Sequence, residues 1–239
     1  YSIIQCYNEL HAYQDCINFL KTYIDENPYS EIAWGQLGAQ YEQVKQLEDA
    51  LEAYDYVTVI NPTSISGYTQ KGNILTQLGR YEEAILTLEE SLEYDDSPAI
   101  TYLVIGECYE KLNLPLKALK SYHLSIKEDP QLDKVWARTS ALYSKSENYQ
   151  EALFYLNRAI DLDDRNVEYW KAHCYILIKL GKYEEAITSY RTIVDIEPFR
   201  LNNWIALIEA NIVMEEYQTA IQEGQNALKH FNRAEIHYQ

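Results

Sequence analysis

Five histidines, four cysteines and 37 carboxylates are the side chains of this 239-residue chain best suited to metal binding, acid–base work or nucleophilic attack. Their spacing argues against all three. His11, His123, His173, His230 and His237 form no H-x-x-x-H or H-E-x-x-H pair, which would place two imidazoles on one helical face for zinc. The cysteines form no C-x-x-C, so they supply neither a zinc site nor a disulfide framework and suit a reducing compartment. His173 and Cys174 are adjacent, but consecutive helical positions point about 100° apart. Asp161, Asp163 and Asp164 lack the glycine and the twelfth-position glutamate of a calcium loop. Glu82–Glu83 and Glu184–Glu185 fall where helices should begin, and there negative charge complements the helix dipole. No glycine-rich phosphate loop occurs. The expectation is a chain that is not an enzyme and holds no cofactor and no metal.

The elements that carry these residues repeat. Aromatics recur every 34 residues at Trp34, Tyr68, Tyr102, Trp136, Trp170, Trp204 and Tyr238. Sixteen residues after each of the first six stands an alanine, from Ala50 to Ala220, and Cys16 continues the series backwards. A third series, Pro28, Pro62, Pro130 and Pro198, keeps the same phase, with Asp96, Asp164 and Asn232 in the gaps. Within one period, Trp34, Leu37, Gly38 and Tyr41 lie at i, i+3, i+4 and i+7, one face of a helix. Leu47, Ala50, Leu51, Tyr54 and Val57 form the apolar face of a second, and Pro62 stops it. Gly38 and Ala50 allow the two helices to approach closely. One hairpin cannot bury its own stripe, so hairpins must stack and share a core.

WGQLGAQY (34–41), YLVIGECY (102–109), and the second-helix openings YEEAI (81–85, 183–187) and YQEAL (149–153) resemble the tetratricopeptide repeat family over essentially the whole chain. The resemblance implies an all-α, right-handed solenoid of stacked helix-turn-helix units. The phase divides residues 1–239 into a single array: an incomplete unit 1–30, full units 31–64, 65–98, 99–132, 133–166, 167–200 and 201–234, and the start of another at 235–239. The departures are Lys71, Thr139 and His173 at the leucine position, Ser140 and Cys174 at the glycine position, and Ile208, Asn211 and Gly224 in the last full unit. That unit reads as a loosened one. The natural array is expected to run on at one or both ends. Cys6, Cys16 and Cys108 are expected to pack in the core.

In this family the first helix of each unit lines a concave groove. The resemblance assigns Gln70 and Asn73 to a polar stretch, then Leu103, Lys111, Lys134, Arg138, Lys145, Lys171, Tyr175, Ile178 and Lys179, and finally the largely apolar unit that carries Ile205. Six basic and three acidic side chains fall on the groove positions of units 99–200. Some family members clamp a terminal carboxylate with five side chains. Asn73, Lys134 and Arg138 match that set, but Thr69 and Val104 replace a lysine and an asparagine, so a true clamp is not expected.

Charge points the same way. The net charge of −17 repels nucleic acid and anionic membranes at long range, and neither is an expected partner. Residues 1–98 hold 17 acidic and 4 basic side chains, so the deficit is concentrated away from the basic groove positions. No run reaches the ~18 apolar residues of a spanning helix, and direct membrane insertion is not expected. The reading is a cytoplasmic, non-catalytic scaffold that binds a protein or peptide partner carrying an acidic or carboxylate group. The alternatives are a structural spacer that forms homo-oligomers through its end units, and an adaptor or regulatory domain of a larger protein.

Overall fold

The computed structural model describes residues 2–237, all in helices and the turns between them. Among the described residues there are 14 helices and no strands. They are α1 (Ser2–Glu9), α2 (Tyr13–Glu26), α3 (Glu31–Gln43), α4 (Leu47–Ile60), α5 (Ile65–Gln77), α6 (Tyr81–Ser91), α7 (Ala99–Lys111), α8 (Pro115–Glu128), α9 (Asp133–Lys145), α10 (Tyr149–Leu162), α11 (Val167–Lys179), α12 (Tyr183–Ile196), α13 (Leu201–Val213) and α14 (Tyr217–His237). The chain is an all-α helical-repeat solenoid whose helices pair as antiparallel hairpins. It divides into two compact units, residues 1–128 and 129–239. Helix α14 runs through residue 235 without a break, and Tyr238 lies outside the described residues.

Each hairpin turns on one residue with positive φ, at His11, Lys45, Gly79, Asn113, Glu147, Gly181 and Glu215. These seven are 34 residues apart, and only two are glycines. The left-handed residue lets the next amide reach back to the first helix, as Gln46 N–H does to the Tyr41 carbonyl at 2.9 Å. First helices are capped where the sequence allows: the Ser30 and Ser64 hydroxyls accept from the amides of Ala33 and Gly67, and the Asn166 side chain accepts from that of Glu168.

The small-residue series sits where the helices touch. Ala50, Ala84, Ala118 and Ala152 are fully buried. In the first unit, a Cβ added to Gly38 would meet the Tyr54 ring at 2.7 Å, and one added to Gly106 would meet Tyr122 at 2.3 Å, so a tyrosine ring from the second helix lies on a bare backbone. In the second unit, hairpin 201–234 inverts the sizes. The bulky Ile208 stands in the first helix and Gly224 in the second, with 3.8 Å between a Cβ placed on Gly224 and Ile208 Cδ1. The last hairpin is therefore packed by exchange and not loosened, with Trp204 and Leu207 buried in it.

The proline series does more than stop helices. Every tryptophan donates its indole N–H to the carbonyl six residues earlier: Trp34 to Pro28 at 2.9 Å, Trp136 to Pro130 at 3.0 Å, Trp170 to Asp164 at 2.7 Å and Trp204 to Pro198 at 2.8 Å. Each bond ties the turn between two hairpins to the helix that follows. Cys16, Cys108 and Cys174 are buried, but Cys6 is exposed. Cys108 packs on the preceding hairpin, where the Thr76 hydroxyl lies 3.4 Å from its sulfur. Cys6 occupies the same repeat position in the first described helix and has no such hairpin to pack on.

Candidate functional site

In the second unit, the first helices of the three hairpins present three different surfaces. On α9, Lys134, Arg138, Ala141 and Lys145 are exposed at i, i+4, i+7 and i+11, a single basic stripe. The carboxylate of Asp133 at the start of this helix accepts from the Tyr169 hydroxyl, which with burial pushes the Tyr169 phenol well above its usual range. Arg138 lies near enough to that phenol to oppose the shift.

On α11 the exposed residues are mixed. Lys171 Nζ lies 2.7 Å from the Glu168 carboxylate, an exposed pair of small energetic weight. Tyr175 is half exposed, its ring lying edge-on to Tyr149 with centroids 6.4 Å apart and Lys179 Nζ 5.5 Å from its centroid. Ile178 is exposed on the same helix. On α13 the outer face is apolar, with Leu201, Ile205, Ile212 and Val213 all exposed. Large aliphatic side chains left in water in a line along a helix mark an interaction surface more often than chance exposure does.

The remaining sequence-predicted residues lie in the first unit. Gln70 lines a pocket of about 300 Å³ with Ile32, Gln36 and Ala39, between α3 and α5. Asn73 and Leu103 are half-buried on α5 and α7, and Lys111 is exposed at the end of α7. The structure thus brings Tyr175, Lys179 and Ile178 together on one helix and sets Lys134, Arg138 and Lys145 on another, while Gln70, Asn73, Leu103 and Lys111 belong to a separate compact unit.

Spacing did not reveal one further cavity. A pocket of about 260 Å³ opens between α11, α12 and α13, lined by Ile178, Ile187, Tyr190, Ala206, Glu209 and Val213 among others. Burial raises the Tyr190 phenol above its usual range, with the nearby Cys174 sulfur and Glu209 carboxylate adding to the effect. His173, on the buried side of α11, bonds the Ser189 hydroxyl at 2.8 Å and meets the Trp170 ring edge-on. Burial pushes its imidazole below the usual value, Glu185 opposing and Lys182 assisting. Among the described residues no group of three or more His, Cys, Asp or Glu is placed to hold a metal ion, and no helix is long and apolar enough to cross a membrane.

Helical hairpins in a 34-residue period, with an alanine at each crossing, define a helical-repeat protein that serves as an interaction scaffold. The tetratricopeptide repeat model matches residues 65–98, 134–166 and 169–200, and the chain belongs to that family. It is 32% identical over 116 residues to cell division cycle protein 27 homolog B of Arabidopsis thaliana, covering 48% of this chain and 16% of that protein. Among solved structures, PilW, a type IV pilus biogenesis factor, superposes with a TM-score of 0.70 at 18% identity, over 86% of this chain and 96% of PilW. YrrB, described as a TPR protein with an unusual peptide-binding site, superposes with a TM-score of 0.60 at 19% identity, over 78% and 96%. The chain spans well under half the length of the curated relatives it matches, from 8% to 39% of each.

Proposed function

We propose that this chain is a non-catalytic scaffold that binds an extended or helical peptide segment on the first-helix face of its second unit. An acidic or carboxylate group of that segment would meet Lys134, Arg138 and Lys145, and apolar side chains would meet Tyr175, Ile178 and Ile205. The observation that carries this reading is the basic stripe of α9 in a protein of net charge −17, in the same compact unit as the exposed apolar face of α13. Charged hydrogen bonds from arginine and lysine orient such a segment, and buried apolar anchors supply most of the affinity. Lys171 and Lys179 extend the positive potential along α11. On the first unit, Gln70, Asn73, Leu103 and Lys111 offer a separate set of mixed polar and apolar contacts. Two of the five side chains of a carboxylate clamp are replaced here by Thr69 and Val104, so the acidic group is an internal side chain as readily as a chain terminus.

Selection of a random dodecapeptide library on the protein tests this. The expected outcome is a consensus enriched in Asp and Glu beside apolar residues. Lys134→Glu with Arg138→Glu should weaken the selected peptides at least tenfold while far-UV circular dichroism stays unchanged. A consensus without acidic residues, or unaltered binding by the double variant, overturns the assignment.

A further inference from the structure

The 260 Å³ pocket of the second unit exists because an internal hydrogen bond of the repeat has been deleted there. In hairpin 31–64 the Tyr54 hydroxyl donates to the Glu42 carboxylate at 2.6 Å. In hairpin 99–132 Tyr122 donates to Glu110 in the same way. Tyrosine stands 12 residues after glutamate in both, and the bond closes the side of the hairpin. Hairpin 167–200 keeps the tyrosine, as Tyr190, but carries Ile178 in place of the glutamate. Tyr190 makes no hydrogen bond among the described residues, and its hydroxyl is a donor and acceptor left beside an apolar opening. Alanines at 206 and 210 widen that opening from the side of α13. The one charged side chain among the lining residues is Glu209.

We infer that this pocket receives one aromatic side chain bearing a hydrogen-bond donor, a tryptophan or a tyrosine, from an acidic peptide partner. Volume sets the size, since a cavity of about 150 Å³ already takes a benzene ring. The walls of isoleucine, valine and alanine favour an apolar ring. The Glu209 carboxylate and the Tyr190 oxygen accept from an indole N–H or a phenol O–H, and Glu209 repels an anionic tip. Lys179, over the Tyr175 ring on the same helix as Ile178, lies where acidic residues flanking the anchor would pass. The inference rests on the peptide-binding reading above and names the anchor that reading leaves open.

The probes are acetylated, amidated peptides Asp-Asp-Gly-X-Gly-Asp-Asp with X as Trp, Tyr, Phe, Leu or Ala, titrated calorimetrically into the intact protein. Trp and Tyr should bind at least tenfold tighter than Ala, and Phe several-fold weaker than Trp. Ile178→Glu restores the residue that Tyr54 and Tyr122 have as acceptor. It should hold or raise the melting temperature and reduce the Trp peptide to the affinity of the Ala peptide, as should the pocket-filling Ala206→Phe. Equal binding of the Trp and Ala peptides overturns the pocket, as does a Trp preference that survives Ile178→Glu. If all peptides bind alike and are lost in Lys134→Glu/Arg138→Glu, the basic face stands and the pocket falls. A Trp preference kept in that double variant leaves the pocket and removes the basic face. Failure of every peptide to bind overturns both.

Discussion

Hairpins 99–132 and 167–200 each place a tyrosine from the second helix against the first, and the two tyrosines are used differently. Tyr122 is fully buried over the bare backbone of Gly106 and donates to Glu110. Tyr190 lies over Cys174, only half-buried, and faces Ile178 across an open pocket. One hairpin uses its tyrosine for stability, and the other leaves the hydroxyl available to a ligand. In a repeat protein the same fold position can thus be converted from closure to recognition by changing a single partner. Charge follows the division as well. Residues 1–128 hold 20 acidic and 8 basic side chains, whereas residues 129–239 hold 17 and 12.

The largest effect should come from breaking the closed hairpin. Gly106→Ala puts a methyl 2.3 Å from the Tyr122 ring and should cost about 2–3 kcal/mol in urea unfolding, because a packed ring on backbone has little room to yield. Gly224→Ala meets only an ordinary contact at 3.8 Å and should instead gain about 0.5–1 kcal/mol, the helix-propensity difference. Next, Tyr122→Phe removes a buried bond to a carboxylate and should cost about 1–2 kcal/mol, whereas Tyr190→Phe has no bond to lose and should stay within about 0.5 kcal/mol. The smallest effect is a pH dependence confined to the open hairpin. His173 is held below its ordinary value of 6.5, so the folded state resists the proton that the unfolded state accepts. Stability contributed by the neutral ring is present above pH 6.5 and is lost as pH falls through that value. Melting curves of the parent and of His173→Leu, which restores the repeat leucine, should converge at neutral pH and separate in acid, with the parent the less stable.

Much of this architecture was legible because the 34-residue phase never slips. The aromatic, small-residue and proline series locate the helix pairs, and the Gly38 and Ala50 positions show where helices cross. What escaped were relations between positions. Pro28 and Trp34 each had an adequate local role, so the indole-to-carbonyl bond that joins them was hidden. Ile208 and Gly224 looked like two separate losses because each was compared with the repeat and not with the other. Ile178 was marked as a contact residue by its register, but its meaning depended on Tyr190 twelve residues later. A comparison of that pair across hairpins, Glu42 with Tyr54 and Glu110 with Tyr122, carries the signal. Burial of Cys6 was misread because a repeat position confers burial only where a neighbouring hairpin supplies the other wall.

The most direct test of the central claim is the affinity of one selected acidic peptide for the protein and for its Lys134→Glu/Arg138→Glu variant, read by fluorescence anisotropy at low and at physiological salt. The account predicts tight binding that weakens as salt screens the α9 stripe, and a loss of at least tenfold in the variant at low salt. Equal affinities for the two proteins, with no dependence on salt, would contradict it.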